Sequence, residues 1–209
     1  MKLDWKKTDK AFYLPGTEPE LVTVPAFKFF AVRGAGDPNE PGFQDYMAVL
    51  YALAYAVRMS PKTGTAPTGY LEYSVFPLEG VWDVSEAAKA RGGAGISKGD
   101  YVFDLMIRQP DFVTEDYARS VLERVRAKKP LPRIEAARFE VLEEGPCVQM
   151  MHLGPYDEEP ASFARMEEFC AARGFRRLSK VHREIYMSDP RKTAPDKLRT
   201  VLRFKVVNR

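Results

Sequence analysis

The sequence has few of the residues that build metal and disulfide sites. Only two cysteines and two histidines occur among its 209 residues. Cys147 and Cys170 stand between apolar neighbours, which favours buried thiols over a disulfide. His152, His182 and Glu184 are the best candidates for zinc ligands, but their spacing fits no ligand signature. We therefore expect no metal and no other cofactor.

Long apolar runs and a strong charge of one sign are also missing. The longest mostly apolar stretch, residues 46–57, is shorter than the roughly 20 residues that a membrane span needs. The N-terminal residues lack the apolar core of a signal peptide, which predicts a cytoplasmic protein without membrane contact. The net charge is only +3, and its basic residues are dispersed among acidic ones, so we expect no nucleic-acid binding.

Aromatic residues are abundant. They make up 12% of a chain that is otherwise of ordinary globular composition, with 45% hydrophobic and 29% charged residues. Many of them stand in or beside amphipathic segments. Such side chains can line a cavity as well as fill a core.

The order of predicted elements repeats along the chain. Each half reads as a strand, a helix and two further strands, at residues 21–32, 43–59, 69–76 and 100–108 and at residues 139–152, 161–173, 180–187 and 198–207. This repeat predicts an α+β fold of two strand-helix-strand-strand modules with antiparallel sheets. We also expect pseudo-twofold symmetry and a ligand cavity between the halves.

The two modules are expected to form a single domain over residues 1–209. Module one covers about 18–110, a connecting helix covers about 114–129, and module two covers about 136–208. Thr114 is a suitable N-cap for that helix, and Pro130 follows its basic end. Either module alone would bury little apolar area, which favours packing into one structure.

One glutamate stands out in the strand predicted near residue 184. Because side chains alternate along a strand, His182, Glu184 and Tyr186 share one face. A shift of 112 residues places Glu72, with Tyr70, at the corresponding position of the first half. A strand glutamate is usually a solvated edge residue. In an aromatic cavity, however, it would act as a base or attract cationic ligands, with a cation–π contribution from its neighbours.

Several passages resemble one known family. They are Arg33-Gly-Ala-Gly-Asp-Pro-Asn, Pro77-Leu-Glu-Gly-Val-Trp, Met106-Ile-Arg-Gln-Pro-Asp-Phe-Val-Thr and His182-Arg-Glu-Ile-Tyr-Met-Ser-Asp-Pro-Arg. Together they are similar to the GyrI-like small-molecule-binding proteins, and within them to the stand-alone bacterial group that includes cyclopropanoid cyclopropyl hydrolases. The resemblance spans nearly the whole chain. It implies a duplicated architecture with a cavity in which a glutamate, by position Glu184, faces aromatic side chains.

The resemblance further implies hydrolysis of cyclopropane-bearing alkylating compounds. In this interpretation Glu184 orients or deprotonates water, and Tyr186 or another cavity tyrosine donates a hydrogen bond to the developing oxyanion. The other expected ligand-binding residues are Trp82, Phe103, Tyr156, His152, Tyr70 and Glu72. Asp83, Tyr101 and Phe103 stand where the group carries further tryptophans, which changes the stacking surface.

Three functions remain open from the residues alone. The chain is a hydrolase, a non-catalytic protein that sequesters planar or amphipathic xenobiotics, or a module that binds and inhibits a protein partner, which the sequence does not identify. A carboxylate among aromatic rings serves binding and catalysis equally. The two modules use the whole sequence and leave no helix-turn-helix, which disfavours an intact transcription regulator.

Overall fold

The structure of the chain, a computed structural model, describes residues 2–92, 95–128 and 130–209. The strands in these ranges are β1 (Lys2–Leu3), β2 (Glu20–Val24), β3 (Phe27–Ala35), β4 (Glu72–Tyr73), β5 (Leu78–Val84), β6 (Tyr101–Gln109), β7 (Ala137–Leu142), β8 (Gly145–Leu153), β9 (Phe175–Arg177), β10 (His182–Tyr186) and β11 (Arg199–Asn208). The helices are α1 (Trp5–Thr8), α2 (Lys10–Tyr13), α3 (Phe43–Arg58), α4 (Glu86–Ala90), α5 (Glu115–Lys128) and α6 (Glu159–Ala172). No helix in the described ranges is long and apolar enough to cross a membrane.

The first of two compact units contains β1 and Phe27–Leu142. Its main sheet is antiparallel, with the strand order β5-β6-β3-β7. Helix α3 packs on β3 and β6, and α5 packs on α3 and β7. The buried residues of α3 recur at helical spacing, which gives the helix one apolar face; they are Tyr46, Val49, Leu50, Leu53, Ala54 and Val57.

The second compact unit contains Asp4–Ala26 and Glu143–Arg209. Its antiparallel sheet has the order β2-β8-β11-β10, and β9 pairs with the end of β11. Helix α6 packs on β8 and β9. The core between helix and sheet uses alternate strand residues, as expected for one buried face; it consists of Val148, Met150, Met166, Cys170, Leu202, Phe204 and Val206.

The predicted α+β class with antiparallel sheets is confirmed. The first unit contains the order β3-α3-β5-β6 and the second the order β8-α6-β10-β11. The predicted connecting helix is present as α5, whereas Lys129 lies outside the described residues. The twofold relation between the modules and the module boundaries stay predictions.

The strand predicted at residues 69–76 is wrong. Only Glu72–Tyr73 are extended there, and they pair with β1 in parallel. The strand that precedes β6 is β5, whose Leu78, Glu79 and Trp82 are all buried. Because β5 is largely buried, its sequence does not alternate between apolar and polar residues. It also contains Gly80, a residue type that is more typical of loops than of strands. The fully buried acid on this strand is Glu79, which is 1% exposed, and Glu72 does not lie on it.

Two other predicted strands are each divided in two. The stretch at 21–32 is interrupted between β2 and β3, where Pro25 supplies no N–H for a ladder hydrogen bond. The stretch at 139–152 is interrupted between β7 and β8. Gly145 has a φ of +70° there, a conformation that turns the chain and that side chains disfavour.

Candidate functional site

Glu184 lies at the centre of β10, in the second unit. It pairs with Leu202 of β11, and the alternation of the strand places Arg183 and Ile185 on the opposite, fully buried face. The first half of helix α6 lies over the face of β10 that carries Glu184. Phe163 of that helix contacts the ring of His182, with centroids 4.8 Å apart. The glutamate is thus part of a helix-covered sheet face, and it shares this face with His182 and Tyr186 as the alternation predicted.

Two neighbours on β10 contact the Glu184 carboxylate. The Tyr186 hydroxyl donates a hydrogen bond of 2.8 Å to Oε2. Nε2 of His182 lies 3.2 Å from Oε1, and its Nδ1 lies 3.1 Å from the carbonyl oxygen of Lys180. A neutral imidazole has one N–H and can satisfy only one of these two acceptors, whereas the protonated ring satisfies both. The Glu184 side chain is 12% exposed, so these contacts form in a largely desolvated environment.

A second acid, Glu159, adjoins Glu184. It is the first residue of α6, is 6% exposed and lies within hydrogen-bonding reach of the Glu184 carboxylate. Burial, followed by the charge and the hydrogen bond of Glu184, raises the pKa of Glu159 to about 10. The sequence pattern gives no sign of this residue, because an acid in the first turn of a helix is usually solvated and stabilised by the helix dipole.

Tyr156 completes the group from the turn that leads into α6. Its ring meets that of Tyr186 edge to face, with centroids 6.1 Å apart. Burial, with the charges of Glu184 and Glu159, raises its pKa to about 12, so its hydroxyl is a neutral donor at neutral pH. The structure thus brings together three predicted site residues: Glu184, Tyr186 and Tyr156.

His152 occupies a separate place in the same unit. Its Nδ1 lies 2.9 Å from Oγ of Ser162 and its Nε2 lies 3.1 Å from the carbonyl oxygen of Pro155. Both ring nitrogens are engaged, which ties β8 to α6. The residue also lines a surface depression of about 760 Å³ with Asp157 and Arg165. Its role in ligand binding stays a prediction.

Trp82 and Phe103 belong to an aromatic cluster within the first unit. Their ring centroids are 5.1 Å apart, and Phe43 stacks on Trp82 at 6.2 Å. Trp82 is 8% exposed and Phe103 is 3% exposed, so both fill the core of this unit. A Cβ on Gly34 would lie 2.3 Å from the Phe103 ring, so only glycine allows this close packing. Stacking of a ligand on either ring stays a prediction.

Tyr70 and Glu72 lie near the end of α3 in the first unit. The Tyr70 hydroxyl donates a hydrogen bond of 2.8 Å to the carbonyl oxygen of Arg58. The Arg58 guanidinium pairs with the Glu72 carboxylate at 2.7 Å, and the Glu72 side chain is 56% exposed. These contacts bind the segment around β4 to the helix. A ligand-binding role of either residue stays a prediction.

The opposite face of β10 is fixed by a buried ionic cluster. Arg203 of β11 donates to Gln149 at 2.8 Å and to Glu144 at 3.0 Å, and also to the carbonyl oxygen of Phe12. Arg183 of β10 lies 3.0 Å from the same Glu144 carboxylate. Burial opposes ionisation of Glu144, but the two guanidinium groups lower its pKa. The cluster holds β10 in place beneath Glu184.

The second unit therefore presents a largely buried carboxylate, a second acid and two tyrosines, and buried titratable groups that converge in this way mark a candidate site for a bound molecule. No group of three or more His, Cys, Asp or Glu in the described ranges is arranged to hold a metal ion. Comparison with protein families agrees with this class. The model of the GyrI-like small molecule binding domain matches residues 17–207, and the chain belongs to this family.

Three solved structures from Listeria innocua are similar to the whole chain. One is a hydrolase with 39% identity and a TM-score of 0.89, covering 99% of this chain and 100% of its own. A second hydrolase structure has 38% identity and a TM-score of 0.87, covering 98% and 100%. The third, an uncharacterised conserved protein, has 38% identity and a TM-score of 0.88 with the same coverage of 98% and 100%. No curated protein matches the chain.

Proposed function

We propose that the chain binds planar or amphipathic small molecules at the Glu184 group, which consists of Glu184, Glu159, Tyr186 and Tyr156, and opens electrophilic cyclopropane rings with water. The proposal depends on one observation: the carboxylate of Glu184 is 12% exposed and is held by the Tyr186 hydroxyl at 2.8 Å. A carboxylate fixed in a desolvated environment is suited to orient and deprotonate water. Such an activity would remove alkylating xenobiotics.

The chemistry requires a base and a hydrogen-bond donor. The water oxygen attacks the ring CH₂, the strained C–C bond breaks, and its electron pair moves onto the conjugated carbonyl oxygen. Glu184 takes a proton of the water and later releases it to solvent, and the resulting oxyanion takes a proton from solvent, so that a dienone substrate becomes a phenol bearing a new alcohol and Glu184 is regenerated. Because the Tyr186 hydroxyl already donates to Glu184, Tyr156 is the better donor to the oxyanion.

The comparisons support the hydrolytic part of this proposal. The family binds small molecules, and two similar structures, at 38% and 39% identity, are described as hydrolases. The substrate class comes from the family resemblance of the motifs and from the chemistry above. We infer a hydrolase with no need of a cofactor.

The test is the fate of a spirocyclopropyl cyclohexadienone incubated with the purified protein in ¹⁸O-labelled water. We expect a ring-opened alcohol carrying one ¹⁸O, detected by chromatography and mass spectrometry, at a rate well above that without protein. Glu184→Gln should reduce this rate by about 100-fold or more. Glu168→Gln, on the exposed face of α6, is the matched control and should leave it unchanged. Equal rates for wild type and Glu184→Gln would rule out the catalytic role.

A sequestering protein is the second candidate. The Tyr186 and His182 contacts leave the carboxylate well satisfied at rest, as a pure binding site would also require. The chain has two tryptophans, so a Trp5→Phe variant reports on Trp82 alone. Stoichiometric quenching of its fluorescence by the dienone without turnover would favour sequestration. Turnover that depends on Glu184 would favour the hydrolase.

A further inference from the structure

The two acids of the Glu184 group are both largely buried and interact with each other. Glu159 is 6% exposed and lies within hydrogen-bonding reach of the Glu184 carboxylate. An ionised carboxylate is only an acceptor, so two ionised groups at this distance repel each other and cannot form a hydrogen bond. One proton removes the repulsion and makes the bond. The pair then carries one negative charge.

The contacts of Glu159 itself point to the same state. Its Oε1 is buried, and no donor among the described residues bonds to it. An ionised carboxylate would leave that oxygen unsatisfied at a considerable cost in free energy. A protonated Glu159 can instead act as the donor, with Glu184 as its acceptor.

The charges around the pair disfavour a second ionisation. Asp157, in the turn before α6, adds a negative field at Glu159. Tyr156 of the same turn is neutral. The pKa of Tyr156 is raised first by burial and then by the negative charges of the two glutamates and of Asp189, which follows β10. On β10 the neighbours of the Glu184 carboxylate are Tyr186, whose hydroxyl donates to Oε2, and His182, whose Nε2 lies 3.2 Å from Oε1. This environment therefore matches a pair with a single charge.

We propose that Glu159 is a positioning residue: it retains a proton at neutral pH and donates it to Glu184, so that the ionised Glu184 carboxylate is held from α6 as well as from β10. This inference extends the proposed function, because Glu159 would act on a substrate only through Glu184. It assigns a function to Glu159, which lies on α6 and outside the sequence motif of β10.

The direct test is infrared difference spectroscopy of the ligand-free protein at pH 8. At this pH an ordinary glutamic acid is ionised, so the carbonyl stretch of a protonated carboxylic acid should come from Glu159. We expect the band in wild type and in the control Glu168→Gln, and its loss in Glu159→Gln. In Glu184→Gln the midpoint at which the band titrates should fall, because the neighbouring charge is gone. Absence of the band in wild type, its survival in Glu159→Gln, or an unmoved midpoint in Glu184→Gln would each overturn the proposal.

The rate of dienone turnover in two variants distinguishes a positioning role of Glu159 from a role in packing alone. Glu159→Gln keeps a donor of the same shape and should retain the wild-type rate within about threefold. Glu159→Leu removes the donor and should lose about tenfold or more, with the fold verified by circular dichroism. Equal losses in both variants would contradict a positioning role. Because the infrared test needs no substrate, a protein that does not hydrolyse the dienone would refute the proposed function and leave the proton assignment to be judged separately.

Discussion

Replacing Glu159 by glutamine should stabilise the protein, and the gain should grow with pH. The pKa of Glu159 rises from its ordinary value of 4.5 to about 10 on folding, chiefly because burial disfavours its charge. When the pKa of a group is higher in the folded state than in the unfolded state, its contribution to the free energy of unfolding is fully present at pH values below the unfolded-state pKa. That contribution is lost as the pH rises through the interval between the two values. Glutamine cannot ionise, so the variant avoids this loss.

The size of the effect follows from proton linkage. Each pH unit between the two pKa values changes the free energy of unfolding by about 1.4 kcal/mol. A pH of 7 is about 2.5 units above the ordinary glutamate pKa of 4.5. The free energy of unfolding of the wild type is therefore lower at pH 7 than in acid by up to about 3 kcal/mol. The difference between Glu159→Gln and wild type should therefore be small at pH 4 and reach about 1–3 kcal/mol at pH 7.

Urea unfolding between pH 4 and pH 8 measures this difference. The comparison with wild type cancels the titration of every other group that the substitution leaves unchanged. Glu168→Gln on the exposed face of the same helix serves as control, and its difference from wild type should stay flat. A Glu159→Gln curve that is parallel to wild type, or one that loses stability as the pH rises, would refute the reasoning.

Three further predictions concern the framework of the two units. Arg203→Met should lower the free energy of unfolding by about 1–3 kcal/mol, because it leaves the buried acceptors of Gln149 and Phe12 without their donor and leaves Glu144 with one guanidinium partner, Arg183, in place of two; an unchanged free energy of unfolding in urea would contradict the role of the ionic cluster. Gly34→Ala should cost about 1–3 kcal/mol, since the new methyl group would lie 2.3 Å from the Phe103 ring, and an unchanged melting temperature would count against that packing. Burial raises the pKa of Cys147 to about 12 and also raises that of Cys170, so both thiols should react with an aromatic disulfide reagent only in denaturant; rapid reaction of the native protein would be inconsistent with this.

The sequence was sufficient to predict the half of the site that lies on one strand. Side-chain alternation along β10 put His182, Glu184 and Tyr186 on one face, and the structure connects all three through hydrogen bonds or close polar contacts. The existence of helix α6 was equally accessible, since the helix predicted at residues 161–173 corresponds to Glu159–Ala172. In both cases the information is local, because a period of two or of 3.6 residues depends only on the backbone geometry.

The other half depends on tertiary contacts that no local pattern encodes. Glu159 looks like a solvated acid at a helix start, and only the packing of α6 on the sheet brings it to Glu184. Glu79 was missed for a related reason, because β5 is buried and contains a central glycine. The expected equivalence of Glu72 and Glu184 is wrong, because it depended on the strand predicted at residues 69–76, of which only Glu72–Tyr73 form a strand.

A double-mutant cycle on dienone turnover tests the central claim that Glu184 and Tyr186 act as one unit. The cycle compares wild type, Glu184→Gln, Tyr186→Phe and the double variant under single-turnover conditions. The account predicts a loss of about 100-fold or more for Glu184→Gln and a double variant slower than this by no more than about twofold. A Glu184→Gln rate equal to wild type, or two losses that multiply in the double variant, would contradict it.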